Sequence, residues 1–211
     1  MTIIALIGSP AVGKSSIIRT LFGKEYVDKP PNLIEPKPLF KCTEYNDYLF
    51  TGNRVLLLGQ YDEGTFSGTD SWSYSVLAKG SFESFIEEQS KNYDKIIFEG
   101  DRLTSKVEWL TENYNTKVFI LTVTSEEEQR RQDVRGNLQN KTWIAGRHTQ
   151  MNNMLTNFFL REHITAMPNN TPEEQKEIII ELVEVLYAEN QSTITVSQFE
   201  LIKTINRRII H

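Results

Sequence analysis

The stretch that decides the fold is Ile3-Ile4-Ala5-Leu6-Ile7 followed by Gly8-Ser9-Pro10-Ala11-Val12-Gly13-Lys14-Ser15. The first five residues form a continuous apolar run, which is typical of a strand covered on both faces of a sheet. The next eight fit the pattern G-x-x-x-x-G-K-[ST], and a helical stretch follows from Lys14 to Phe22, with Gly23 placed to end it. The pattern therefore lies between a predicted buried strand and a predicted helix, which is the context that this motif requires.

The chemistry that this pattern serves is phosphate binding. Glycines let successive backbone amides turn inward around a polyphosphate, and the N-terminus of the helix adds partial positive charge. Lys14 is expected to reach the β- and γ-phosphates, and the Ser15 hydroxyl is expected to ligate Mg²⁺. We therefore predict a P-loop that binds ATP and Mg²⁺, formed by Gly8, Ser9, Pro10, Ala11, Val12, Gly13, Lys14, Ser15 and Ser16.

The remainder of the chain alternates short apolar runs with helical stretches, which indicates an α/β fold with a mostly parallel sheet. Three further core strands are predicted, at residues 55–58, 96–98 and 118–123. Helices are predicted at 72–89, where Gly80 interrupts the pattern, and at 106–113, 125–136, 151–159, 171–188 and 197–210. We expect the three-layer fold of P-loop NTPases, with a kinase-type lid and a helical C-terminal part.

Three of the helix predictions depend on particular side chains. Ser125 and Glu128 have the spacing of a capping box, and Thr171-Pro172 with Glu174 opens a later helix in the same way. Between these two helices, apolar residues at i, i+3, i+4, i+7 and i+8 predict one buried face, made of Met151, Met154, Leu155, Phe158 and Phe159.

The predicted domain organisation is one P-loop domain over residues 1–190 and a helical extension over residues 191–211. Within the domain, residues 24–53 form an insertion, because four prolines there interrupt any helix. Two strand-like pieces, 39–45 and 48–50, predict a hairpin around a turn at Asn46-Asp47.

Composition limits the function classes. The chain has 211 residues with 28 acidic and 23 basic side chains, a net charge of −5, which suits a globular protein and argues against a general nucleic-acid coat protein. No apolar run approaches the roughly 20 residues that span a bilayer, so we expect no membrane association. A single cysteine, Cys42, excludes an internal disulfide framework. We expect a cytoplasmic protein, and the sequence carries no signal for an oligomeric state.

An acidic motif, Phe98-Glu99-Gly100-Asp101-Arg102, ends one of the predicted core strands. Strand ends of a parallel sheet meet at one edge, so these carboxylates are expected beside the P-loop. Glu99 or Asp101 would hold Mg²⁺ or accept a hydroxyl proton, and Arg102 would contact the acceptor or the phosphates. The alternative is a solvated cluster at a strand end.

An arginine-rich segment at about 129–147 predicts the lid. Arg131 and Arg135 are four residues apart and share a helix face, which suits two contacts with one polyphosphate, whereas Arg130 faces elsewhere. Arg147 is a further candidate on the acceptor side. Such arginines neutralise charge on the transferring phosphoryl group when a lid closes. The alternative is a solvated basic helix face.

The acceptor side is predicted in the glycine-rich stretch 58–70, which follows a core strand. Asp62 is the leading candidate for the base that takes the acceptor proton, and Asp70 is the second. The alternative for each is that it caps a helix or turn, and Asp70, which immediately precedes a helical segment, suits both roles equally. Gln60 offers an amide to a nucleobase edge, and Tyr61 is one of several aromatic residues that either stack on a base or belong to the core.

The four segments that carry these motifs resemble a family of phage-encoded P-loop kinases related to deoxynucleotide kinases. They are 8–16, 59–70 with its Phe66-Ser67-Gly68-Thr69-Asp70, 98–102, and 131–147. The resemblance implies an ATP-dependent kinase that phosphorylates the hydroxymethyl group of 5-hydroxymethyluracil in DNA, a nucleobase acceptor that is flipped out of a duplex before reaction.

Two other functions compete with this interpretation. A deoxynucleoside monophosphate kinase would hold the acceptor phosphate with Arg102 or Lys79, and a non-catalytic regulator would bind ATP without transferring phosphate. A GTPase switch is disfavoured, because Asn140-Lys141-Thr142-Trp143 does not satisfy the guanine-reading pattern N-K-x-D.

Overall fold

The computed structural model describes residues 1–28, 33–37, 40–45, 53–61, 67–78, 80–136 and 140–187. The strands in these residues are β1 Thr2–Gly8, β2 Leu33–Lys37, β3 Phe40–Tyr45, β4 Val55–Leu58, β5 Lys95–Glu99, β6 Asn115–Thr122 and β7 Ile164–Pro168. The α-helices are α1 Lys14–Phe22, α2 Lys24–Asp28, α3 Ser81–Gln89, α4 Val107–Asn113, α5 Ser125–Arg135, α6 Lys141–Thr156 and α7 Pro172–Tyr187. Two short 3₁₀ turns, Thr69–Ser71 and Tyr74–Leu77, precede α3, and a third, Thr104–Lys106, precedes α4.

These strands form one sheet in the order β2-β3-β4-β5-β1-β6-β7. The five strands from β4 to β7 in this order run parallel, and β3 pairs antiparallel with both β2 and β4. The mostly parallel α/β sheet predicted from the sequence is therefore confirmed. Since β1 lies between β5 and β6, its C-terminal end brings the P-loop to the middle of the sheet edge.

The core lies on both faces of the sheet, which gives the three layers. Side chains alternate along β1, so Ile4 and Leu6 pack on one face and Ile3, Ala5 and Ile7 on the other. The first face is covered by apolar residues of α1 and α7, and the second by those of α3, α4 and α6. Burial on both faces explains why β1 reads as an unbroken apolar run.

The predicted hairpin of the 24–53 stretch takes a different form. The strand predicted at 39–45 is β3, but its antiparallel partner is β2, which the sequence did not indicate. Pro36 lies in β2 at a register shift between Ile34 and Lys37, on the edge of the sheet, where a missing amide is tolerated. The helix α2 also forms before the first proline. The predicted turn at Asn46-Asp47, the strand at 48–50 and the extension at 191–211 lie outside the described residues.

Two helix predictions are wrong in detail. The N-cap of α5 is Thr124, whose side chain accepts from the Glu127 amide at 3.3 Å, rather than Ser125. The apolar face predicted for 151–159 ends early, because α6 stops at Thr156 and leaves Phe158 and Phe159 70% and 79% exposed. By contrast, the capping box of α7 is confirmed, since Thr171 Oγ1 accepts from the Glu174 amide and the Glu174 carboxylate accepts from the Thr171 amide.

Candidate active site

The loop between β1 and α1 has the conformation that phosphate binding requires. Gly13 precedes α1 in the left-handed region, with φ of 96°, and Ala11 also has a positive φ of 66°. A positive φ is costly for alanine and is found mainly at functional sites. The first turn of α1 follows directly, so its unpaired amides and the positive end of the helix dipole point toward the loop.

Two predicted phosphate and metal ligands lie at the start of α1. Lys14 is 9% exposed, and its Nζ donates to the carbonyls of Gly8 and Ser9 at 2.7 and 3.0 Å, so its charge lies inside the loop. Ser15 Oγ donates to Glu99 Oε1 at 2.6 Å. Glu99 ends β5 and is 1% exposed, and burial raises the pKa of its carboxyl, against the opposing effect of Lys14.

Residues that follow β6 and β7 hold two carbonyls of the loop. Asn169 Nδ2 donates to the carbonyl of Val12 at 2.6 Å, and Arg131 Nη1 lies 3.5 Å from the carbonyl of Ala11. Because these donors engage the loop carbonyls, the loop amides are left to face an anion.

A second contact ties the loop to α5 and α6. Ser9 Oγ donates to Glu128 Oε1 at 2.7 Å, and the other carboxylate oxygen of Glu128 lies 3.0 Å from His148 Nε2. Glu128 is 8% exposed, and it belongs to α5, whereas His148 belongs to α6. The two helices that border the predicted lid are thus joined to the P-loop through one carboxylate.

A cleft of about 1220 Å³ runs from the P-loop across the C-terminal edge of the sheet. It is lined by the P-loop, by the turn that carries Asp70, by the end of β5, by α5 and α6, and by the start of α7. The predicted site residues that line it are Pro10, Ala11, Gly13, Lys14, Ser15, Ser16, Asp70, Glu99, Asp101, Arg102, Arg131, Arg135 and Arg147.

Asp70 lies against the turn that follows β5. Its Oδ1 accepts from the backbone amides of Asp101 and Arg102 at 3.1 and 3.0 Å, and Arg102 Nη2 donates to its carbonyl at 3.0 Å. These contacts cap the chain after β5, whereas the 3₁₀ turn that contains Asp70 has Gly68 at its N-cap and no side-chain cap. Asp70 therefore does cap a turn, as the alternative interpretation of this residue allows, but the turn is the one after β5 and not the 3₁₀ turn that contains Asp70.

The electrostatic surroundings of Asp70 suit proton transfer. Burial and the neighbouring Asp101 carboxylate raise the pKa of Asp70 to about 7, while the charge of Lys14 acts in the opposite direction. A carboxyl with a pKa near neutral is half deprotonated at neutral pH and binds a proton more strongly than an exposed aspartate.

Glycine is required where the Asp70 turn touches β5. A Cβ atom on Gly68 would lie 2.6 Å from the carbonyl oxygen of Glu99 and 2.7 Å from its carboxylate, and Gly68 has a φ of 63°. The backbone of Gly68 also pairs with Gln60 in an isolated bridge. The turn can therefore approach the backbone and carboxylate of Glu99 only because residue 68 has no side chain.

The arginines of α5 are fixed by a carboxylate. Glu127 accepts from both Arg130 and Arg131 at 2.6 to 2.7 Å, and these hydrogen bonds lower its pKa to about 2. Arg131 Nη2 also donates to the carbonyl of Asn169 at 2.6 Å. Contrary to the sequence-based expectation, Arg130 lines the cleft as Arg131 and the exposed Arg135 do.

Other predicted residues lie away from the cleft. Gly8, Ser9 and Val12 are buried within the loop and support its shape. Tyr61 is 2% exposed and packs in the core beside α1, where burial raises the pKa of its hydroxyl well above the usual value. Gln60 contributes its backbone to the bridge with Gly68 and is not among the residues that line the cleft. Asp62 and Lys79 lie outside the described residues.

Several residues that complete the site were not predicted from the sequence. Asn169, Glu128 and His148 act through contacts between separate segments, which no local pattern reveals. Glu127 pairs with Arg130 and Arg131 within α5, and the i,i+3 and i,i+4 spacing of these charges was the available signal. Tyr74 and Trp143 also line the cleft, and the sequence alone does not distinguish them from the many aromatic residues that pack in the core.

The residues present fit a hydrated Mg²⁺ ion. Mg²⁺ prefers oxygen ligands and is usually held by one or two carboxylates together with substrate phosphates and water. The Ser15 hydroxyl and the Glu99 carboxylate meet at 2.6 Å beside Lys14, which provides such oxygens. Across the described parts of the chain, no group of three or more histidine, cysteine, aspartate or glutamate side chains forms an all-protein metal site.

A P-loop at the edge of a parallel sheet, with a carboxylate at the neighbouring strand end and arginines on the facing helices, defines a nucleotide-binding enzyme of the kinase type. The chain belongs to the P-loop Nucleotide Kinase3 family, whose model matches residues 1–180. A comparison with curated proteins found no match. Within the described residues, no helix is long and apolar enough to cross a membrane.

Proposed function

We propose that this protein transfers the γ-phosphate of ATP to the hydroxymethyl group of 5-hydroxymethyluracil in DNA. Family membership supports kinase activity on a nucleotide-type substrate. The resemblance carried by the Gly68-Thr69-Asp70 and Glu99-Gly100-Asp101-Arg102 segments supports this particular acceptor. The observation that carries the proposal is the placement of Asp70 in the same cleft as the P-loop, with a pKa of about 7.

The choice between an alcohol and a phosphate acceptor follows from proton chemistry. A nucleoside monophosphate reacts through a phosphate oxygen that is already ionised at neutral pH, so it needs no base. A hydroxymethyl group is an alcohol, and its proton must leave as the oxygen attacks. Burial beside Asp101 makes Asp70 a better base than an exposed aspartate, which favours the alcohol.

In the proposed reaction, Lys14 and the loop amides bind the triphosphate, and Arg131, Arg135 and Arg130 lie on the facing helix to neutralise its charge. The hydroxymethyl oxygen forms a bond to the γ-phosphorus, the bond from that phosphorus to the β,γ-bridging oxygen breaks, and ADP leaves. Asp70 takes the proton of the hydroxymethyl group. Ser15 and Glu99 are the residues that would hold Mg²⁺, which supplies positive charge to the phosphates when bound.

The test offers ATP labelled at the γ-phosphate together with separate acceptors. We expect label in an oligodeoxynucleotide that contains one 5-hydroxymethyluracil, and none in the same oligodeoxynucleotide with thymine, which lacks only the hydroxyl. Label that enters only free deoxynucleoside monophosphates would contradict the proposal.

One observation favours a deoxynucleoside monophosphate kinase as the second candidate. Arg102 and Arg147 both line the cleft near Asp70 and offer charge for an acceptor phosphate. The same labelling experiment separates the two candidates. A non-catalytic regulator would bind ATP and give no labelled product with either acceptor.

A further inference from the structure

Two arginines, each beside an aromatic ring, contact the two members of the Asp70–Asp101 pair. The Arg102 guanidinium lies 4.0 Å from the centroid of the Tyr74 ring and donates to the Asp70 carbonyl. Arg147 Nε lies 3.2 Å from Asp101 Oδ2, and its guanidinium lies 5.1 Å from the centroid of the Trp143 ring. We call these six cleft residues the acceptor strip: Tyr74, Arg102, Asp70, Asp101, Arg147 and Trp143.

The two rings of the acceptor strip are not explained by core packing. Tyr74 is 68% exposed and Trp143 is 37% exposed, whereas Trp72, a core residue two positions from Tyr74, is 4% exposed. An arginine covers one face of each ring and leaves the remaining surface open to the cleft. Exposed aromatic faces beside arginines are what proteins use to stack unpaired bases.

The arrangement of charge indicates how many phosphates the acceptor carries. A free mononucleotide has one phosphate, on one side of its sugar. A nucleotide within a strand has a phosphate on both its 5′ and 3′ sides. The acceptor strip has two arginines, Arg102 in contact with Asp70 and Arg147 in contact with Asp101, and therefore offers a separate cation to each of two phosphates.

We infer that the acceptor strip binds a single-stranded stretch of a polynucleotide, with Arg102 and Arg147 at the phosphates on the two sides of the reacting nucleotide. Tyr74 and Trp143 stack on its neighbouring bases. The inference rests on the proposed function and deepens it, because it assigns the acceptor contacts. It also means that a duplex must open locally before the strand enters the cleft.

The test measures binding without phosphoryl transfer. The probe is a fluorescently labelled single-stranded oligodeoxynucleotide with one central 5-hydroxymethyluracil, titrated with the full chain and followed by fluorescence anisotropy. We expect Tyr74→Ala and Trp143→Ala each to raise the Kd about tenfold, the size of one lost stacking contact. Tyr74→Phe and Trp143→Phe should keep the Kd close to that of the wild type.

The matched control is Phe159→Ala, because Phe159 is 79% exposed and does not line the cleft. Its Kd should equal that of the wild type, and thermal unfolding shows whether each variant is folded. Unchanged binding by folded Tyr74→Ala and Trp143→Ala variants would overturn the inference. So would a free 5-hydroxymethyl-deoxyuridine monophosphate that competes with the same affinity as the oligodeoxynucleotide.

The two proposals fail in different ways. An oligodeoxynucleotide that binds through Tyr74 and Trp143 but receives no phosphate would contradict the proposed function. The inference that the acceptor strip binds a polynucleotide would still be supported. Phosphate transfer to the oligodeoxynucleotide with an unchanged KM in both alanine variants would contradict the acceptor strip alone.

Discussion

Asp70 is the residue on which the proposed chemistry depends. Replacing it with asparagine keeps the shape and an oxygen that accepts from the Asp101 and Arg102 amides, but it removes the base. We expect Asp70→Asn to lower kcat by about 10²- to 10⁴-fold with little change in the KM for ATP. Steady-state kinetics on the 5-hydroxymethyluracil oligodeoxynucleotide measures both constants, and a kcat within a few fold of the wild type would contradict the assignment.

The pH profile gives an independent check of the same residue. Because Asp70 must be deprotonated to act as a base, kcat/KM should rise with pH and level off above about 7. Asp101 is one of the groups that raise the pKa of Asp70, so Asp101→Asn should move this rise to lower pH. An unmoved profile in a folded Asp101→Asn variant would exclude Asp70 as the titrating group.

The sequence predicted some of these residues and not others, for a physical reason. Lys14 and Ser15 were predictable because one continuous motif holds all the residues that shape the loop. Glu99 was predictable because it is the polar residue at the end of a buried apolar strand. The surroundings of Asp70 were not predictable, because its contacts with Asp101 and Arg102 form only when two loops meet.

The element that brings these loops together is the turn after β4. Gly68→Ala would place a Cβ within 2.7 Å of both the carbonyl and the carboxylate of Glu99, so the turn or Glu99 must shift. We expect a loss of about 1–3 kcal/mol in the free energy of unfolding and a higher Mg²⁺ requirement for activity. Urea unfolding and an Mg²⁺ titration of kcat measure the two effects.

Gly80→Ala is the matched control for this turn. Gly80 also has a positive φ, of 77°, but its Cβ would meet no atom within 4 Å. The Gly80→Ala variant should lose about 1 kcal/mol in the free energy of unfolding, from the strained backbone conformation alone. Its Mg²⁺ requirement should equal that of the wild type. Equal effects of the two substitutions would show that strain, and not contact with Glu99, explains the Gly68 result.

The helices α5 and α6 depend on one buried carboxylate. Glu128→Ala removes the acceptor of both Ser9 Oγ and His148 Nε2, so the P-loop and α6 lose their common contact. We expect a loss of about 1–3 kcal/mol in stability and a severalfold higher KM for ATP. Glu126→Ala, an exposed site on the same helix, should change neither quantity, as measured by thermal unfolding and ATP titration.

The sequence pattern predicted the central strands of the sheet but not the two strands at its edges. Both missed strands, β2 and β7, are edge strands. β2 contains a proline at a register shift, and β7 has no buried residue among its five, so neither shows the apolar run of β1. The central strands were predictable because both of their faces are buried, which forces an apolar sequence.

At the scale of the whole molecule, charge is distributed unevenly. The chain has a net charge of −5, yet the described part of the cleft has more basic than acidic side chains. The basic ones are Lys14, Arg19, Arg102, Arg130, Arg131, Arg135 and Arg147, and the acidic ones are Asp70, Glu99, Asp101 and Glu127. The cleft therefore attracts polyanions, while the rest of the surface repels them.

ATP binding should stabilise the whole fold, because the P-loop joins β1 to α1 and contacts α5 and Asn169. At 100 times its Kd, a ligand that binds only the folded state adds about 2.7 kcal/mol to the free energy of unfolding. For a chain of this size, that gain raises Tm by about 5–10 °C. Differential scanning fluorimetry with ATP and Mg²⁺ measures the shift, which chelation of Mg²⁺ should reduce.

Two variants locate the source of this shift. Lys14→Ala should fold and lose most of it, because Lys14 supplies the charge inside the loop. Asp70→Asn should retain it, because Asp70 lies on the acceptor side and is proposed to act on the hydroxymethyl proton. A full shift in Lys14→Ala would mean that the triphosphate binds elsewhere than in the P-loop. Loss of the shift in both variants would mean that the two halves of the cleft do not bind donor and acceptor separately.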